Sequence, residues 1–238
     1  MDRDRHIIAA LLRTPPVPAV IALVVLPFVN IGFNRLILFS SVPLFLDSIG
    51  TAVSAAVFGL PLGLGTAILT NAFQELFEGF AFRHLPFAIC GMATALLTWL
   101  ETRRRREPLI ARFSLLTLSV ALANALLGAV VATFVFGGGT GANIDVIVAG
   151  FALAFRDVFS AAFLARIPAN LVDKAPAALL ALLAARALGA GERPMNGRLR
   201  GASRAWRHRT ETRNQAFIKP ARMARRATAA ADCISSFR

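Results

Sequence analysis

Two runs set full charges inside otherwise apolar sequence: Pro43-Leu-Phe-Leu-Asp47-Ser-Ile-Gly50-Thr51 and Ile167-Pro-Ala-Asn170-Leu-Val-Asp173-Lys174. An unpaired ion among Leu, Val, Ile and Ala is costly, so such groups face partners, a water-filled cavity or a ligand. The chemistry they offer is recognition rather than reaction. No GxSxG, HExxH or Walker A pattern is present, and Cys90 and Cys233 give neither a disulfide framework nor metal spacing. The run Gly137-Gly-Gly139-Thr-Gly141 lacks the Lys-Ser/Thr of a phosphate loop and reads as a turn. The chain is expected not to be an enzyme, and to use no cofactor and no metal.

Helical periodicity groups further polar residues with these charges. Asp47, Thr51 and Ser54 fall at i, i+4 and i+7, which would put them on one helix face. Asn71, Gln74, Glu75 and Glu78 repeat the pattern, as do Asn170, Asp173 and Lys174, and Asn30 and Asn34 are one turn apart. Each helix would then be apolar outside with one polar seam. Such seams either glue helices together by hydrogen bonds or line a ligand site. Asp173 and Lys174 could pair with Asp47, Arg83 or Arg35 and do no more than hold the bundle, and His84 is as easily interfacial as a ligand contact. Four helices converging at one depth favour the ligand site, with Asp47, Thr51, Asn71, Glu75, Glu78, Arg83, Asn170, Asp173 and Lys174 as its substrate-binding residues.

The elements that must carry these residues are membrane helices. Hydrophobic residues make up 56% of the 238 and charged residues only 16%, against roughly a quarter charged in soluble domains. Several apolar stretches approach the roughly 20 residues a spanning helix needs. The expected fold is an all-α membrane protein, a six-transmembrane-helix bundle with spans at 17–39, 43–59, 61–80, 82–100, 113–136 and 168–188. The region 144–166 contains Asp145, Arg156 and Asp157. It is read as an outer-face or re-entrant helix, with Arg166 and Pro168 marking a boundary.

Charge gives the orientation. The loop Glu101-Thr-Arg-Arg-Arg-Arg106-Glu is the clearest cytoplasmic signal, and Arg3, Arg5 and Arg13 put the N-terminus on the same side. The net charge of +13 divides into +4 over residues 1–190 (14 Lys/Arg, 10 Asp/Glu) and +9 over 191–238 (12 and 3). Residues 1–190 read as the membrane domain and 191–238 as a basic, disordered cytoplasmic tail, so both termini are cytoplasmic. Topology accounts for the tail's charge, and no nucleic-acid partner is expected. At 1.5 Å per residue, Asn71 would lie roughly 15 Å into its span, with Glu75 and Glu78 beyond it. The polar residues would then form one pocket facing outward. Alanines at 121, 125 and 129 and at 177, 181 and 185 form small-residue faces, suited to internal packing or to docking of another membrane subunit.

The run ending in Thr51, the turn Gly59-Leu-Pro-Leu-Gly63, Thr70-Asn71 and the run from Ile167 to Lys174 together resemble the substrate-binding S components of energy-coupling factor (ECF) transporters. The resemblance covers about residues 17–190. It implies a multi-pass protein of the bacterial inner (cytoplasmic) membrane, in contact with membrane lipid, that captures a vitamin or related small-molecule micronutrient from outside. It also implies a transmembrane scaffold subunit and two cytoplasmic ATPases as partners. No vitamin-specific fingerprint marks the substrate. The alternatives are a membrane sensor module, or a structural membrane protein without a ligand.

Overall fold

The computed structural model describes residues 17–40, 42–103 and 107–188. The N-terminal arginines, positions 104–106 of the arginine loop and the basic tail lie outside the described residues. Within them the chain is all-helical: α1 Val17–Ser40, α2 Ile49–Val57, α3 Leu60–Phe77, α4 Ala88–Glu101, α5 Leu109–Phe134, α6 Asp145–Phe155 and α7 Val158–Ala187. Three of these, α1, α5 and α7, are long and apolar enough to cross a membrane. The chain is a membrane protein on that ground, while α2, α4 and α6 are each too short to span alone.

Side chains are sorted as lipid immersion requires. Large apolar residues such as Leu36, Phe39, Phe134 and Leu153 are exposed, while the buried set is dominated by alanine and by hydrogen-bonded polar groups. The alanine faces are spent internally. Ala177, Ala181 and Ala185 pack on Ile49, Ala52 and Ala56 of α2, and Ala129 packs on Ala161, Ala162 and Ala165 of α7. Small residues let these backbones approach closely, so docking of a further subunit would have to use another surface.

Glycines mark two tight crossings. A methyl on Gly50 would press on the Leu26 carbonyl oxygen and Asn30, and one on Gly63 would press on the backbone of Ala55. Gly50→Ala is therefore expected to destabilise the bundle by about 1–3 kcal/mol through overpacking. Gly32→Ala, which meets nothing within 4 Å, is the control and should keep or slightly raise the thermal midpoint, since alanine is the better helix former.

Two expected spans are corrected. The second, 43–59, is helical only from Ile49; residues 42–48 are irregular and non-helical, with Leu46 at φ 45°. Backbone without helical bonds survives at such depth only where protein satisfies it. Here Asp173 Oδ1 accepts from the Phe45 and Leu46 amides, and Asn34 donates to the Phe45 carbonyl at 2.9 Å. The sixth span starts ten residues early. Asp157 caps α7 by accepting from the Ser160 amide at 2.7 Å, and the helix runs through Pro168 and Pro176 to Ala187. Pro168 is thus no boundary, because a membrane helix tolerates an internal proline where neighbours re-satisfy the freed backbone. Residues 144–166 are accordingly not one helix but α6, a left-handed break at Arg156 and the first turns of α7.

Candidate functional site

A cavity of about 250 Å³ lies between these elements. Asn34 of α1 and Leu44, Phe45 and Asp47 of the irregular segment form one wall. Asn71, Gln74 and Glu78 reach it from α3, and Arg83, His84 and Phe87 from the turn before α4. Asn124 and Gly128 of α5 and Arg166, Asn170 and Lys174 of α7 complete it, with the 140–143 loop across one side. Along α3 and α5 the lining residues lie in the C-terminal half, and on α4 at the start. The cavity therefore sits at the bundle end opposite the Gly59 turn, the Glu101 end of α4 and the Leu109 end of α5.

Six of the nine sequence-predicted site residues line the cavity: Asp47, Asn71, Glu78, Arg83, Asn170 and Lys174. Asp47 does so from the irregular segment and not from a face shared with Thr51 and Ser54, since the helix starts two residues later. It accepts from Lys174 Nζ at 3.1 Å. Lys174 also donates to Ser48 Oγ at 2.9 Å and stands 2.5 Å from Asp173 Oδ2, an ion pair without hydrogen-bond geometry. Glu78 is held by Arg35 and by the His84 ring, each at 2.7 Å.

The other three have structural partners. Thr51 accepts from Asn30 Nδ2 at 2.9 Å, and Asn30 also bonds Thr70 at 3.0 Å and the Gly50 amide at 2.6 Å. That network ties α1 to α2 and α3. Glu75 is buried and turns its carboxylate to the amides of His84 and Leu85, so it caps the turn before α4. Asp173 anchors the irregular segment behind the cavity wall.

The cavity's hydrogen-bonding character comes from amides. Asn71, Asn124 and Asn170 each donate Nδ2 to the carbonyl four residues earlier, at 3.0, 3.0 and 2.8 Å. A carbonyl only accepts, so each amide is oriented with its oxygen turned away from its own helix. Gln74 donates to Asn34 Oδ1 at 3.0 Å. No protein family, curated protein or solved structure matches this chain. The site must be read from its own residues.

Those residues include several that periodicity alone missed. Arg166, Asn170 and Lys174 fall at i, i+4 and i+8 on α7 and all line the cavity; the spacing was visible, but placing a boundary at Pro168 separated Arg166 from the other two. Asn124 stood within an apolar run, with Thr117 seven residues earlier as its one polar neighbour at helical spacing. The contribution of Asn143, which donates to the Val42 carbonyl at 3.2 Å, depends on a contact 101 residues away and had no local signal.

Proposed function

We propose that the chain is a substrate-capturing membrane subunit, an S component of an ECF-type transporter that takes up a vitamin or related micronutrient. The observation carrying this reading is a closely lined polar cavity inside an apolar-surfaced helical bundle. Membrane proteins that need polar groups only as glue bury them against each other, whereas here Asn71, Asn124, Asn170 and Arg166 line a space. The positive-inside rule puts the arginine-rich 101–107 connection in the cytoplasm. The cavity, at the opposite bundle end, then opens outward, as capture requires. With no nucleotide motif of its own, the chain would draw energy from a scaffold subunit and two ATPases.

Isolation of the full chain in mild detergent, followed by mass spectrometry of small molecules released on unfolding, tests the reading. A stoichiometric co-purifying molecule is expected in the parent. Asn71→Ala, which removes one wall amide, should reduce its retention about tenfold or more while shifting the unfolding midpoint little, in line with one hydrogen bond lost. Recovery of no molecule, or equal retention by this variant, would count against capture at this cavity.

A further inference from the structure

The charges around the cavity are not all neutralised within the protein. Lys174 holds Asp47 and Asp173, and Glu78 is held by Arg35 and His84. Arg166 is different. It is 2% exposed, and its one hydrogen bond among the described residues runs from Nη1 to the Ala162 carbonyl of its own helix at 3.2 Å. Asp145, the carboxylate whose charge acts on Arg166, makes no ion pair with it; its oxygens accept from the Thr140 amide and hydroxyl and from the Gly141 amide, at 2.7, 2.9 and 2.7 Å. A guanidinium carries five N–H donors, so most of this fork meets only the cavity.

Its position is built, because a methyl at Gly128 would come within 3.2 Å of Arg166 Cδ and 3.3 Å of Nε. A larger residue there would crowd the arginine. Among the described residues no carboxylate stands within ion-pair distance of Arg166, and Asp145 acts on it only at longer range. An intramembrane cation is costly, and a ligand anion in direct contact would recover part of that cost. The free amide oxygens of Asn71, Asn124 and Asn170 ask for the converse, hydrogen-bond donors. Arg83, exposed at the cavity wall, adds positive potential that attracts anions.

We propose that the cavity takes a small organic acid, whose anionic group pairs with Arg166 and whose N–H or O–H groups donate to the three asparagine oxygens. Its 250 Å³ lies just under the roughly 300–1,000 Å³ of small-molecule pockets, which suits a molecule of modest size rather than a long chain. The proposal rests on the capture reading but fails separately from it. A neutral or cationic co-purifying molecule would overturn the acid and leave capture standing; an anion response without any co-purifying molecule would do the reverse.

The test is thermal unfolding of the detergent-solubilised full chain with acetate, acetamide or inorganic phosphate, at constant ionic strength balanced by sodium chloride. Acetate or phosphate, at about tenfold its dissociation constant, should raise the midpoint by about 3–6 °C, and neutral acetamide should not. The anion acting at the lower concentration shows whether the natural group is a carboxylate or a phosphoryl. Arg166→Met should abolish the response and unfold at the same or a higher temperature in anion-free buffer, because it removes an unpaired charge. Arg166→Lys should keep a weaker response. No rise with either anion, an equal rise with acetamide, or a response that survives Arg166→Met would overturn the proposal. So would a lowered anion-free midpoint in that variant, which would make the arginine a structural group.

Discussion

Lys174→Met is expected to destabilise the bundle by about 3–5 kcal/mol, the range for removing one partner of a buried ion pair. Lys174 is buried and stands between two carboxylates, Asp47 at 3.1 Å and Asp173 at 2.5 Å. Methionine fills a similar volume but leaves Asp173, which has no exposure, without a counter-ion. For a chain of this size the midpoint should fall by roughly 6–20 °C, at 2–4 °C per kcal/mol. The double variant Lys174→Met/Asp173→Asn should recover much of the loss, because it removes the stranded charge and keeps an acceptor. Asp47 can stay ionised in that background, its side chain being 38% exposed. If the double variant unfolds as early as the single one, Lys174 acts through packing and its bond to Ser48 instead of through charge. A thermal-unfolding double-mutant cycle separates these outcomes.

The same lysine shows what could be read from residue order and what could not. Composition and helical period were enough for an all-helical membrane protein, and the limits of α1, α3 and α5 fall within a few residues of the expected spans. Local rules failed where the deciding partner was distant in sequence. Pro43 looked like a helix start, yet the backbone after it stays non-helical to Ser48, and its amides bond Asp173, 127 and 128 residues later. Pro168 looked like a helix boundary, although the Asp157 cap with Ser160 was a start signal already present in the sequence. For the site, Asn71, Glu78, Asn170 and Lys174, grouped by helix faces, line one cavity. The same periodicity could not tell Glu78, which meets the cavity, from Glu75, which bends to cap a turn nine residues on. Spacing along a helix gives direction around its axis, but not what the neighbouring loop needs.

Asp173 is where the sequence reading and the structure assign different roles, and a pair of substitutions should decide between them. As a ligand contact, Asp173 would matter through its charge. As an anchor, it matters as the acceptor for the Phe45 and Leu46 amides, which hold residues 42–48 against α7. That segment places Leu44, Phe45 and Asp47 in the cavity wall, so losing the anchor should disorganise the site from behind. Asp173→Leu is expected to cut retention of the co-purifying molecule more than a hundredfold, because it leaves the part-buried Phe45 and Leu46 amides without their acceptor and frees the wall. Each unsatisfied buried group is worth about 1–3 kcal/mol, so two together exceed what one lost wall contact would give. Asp173→Asn keeps the acceptor oxygen and should retain the molecule within about tenfold of the parent, although its midpoint falls as Lys174 loses one of two carboxylates. Equal loss of retention in both variants would return Asp173 to the ligand-binding set. Near-parent retention in both would mean the irregular segment holds itself, leaving Asn34 and Asn143 as its anchors.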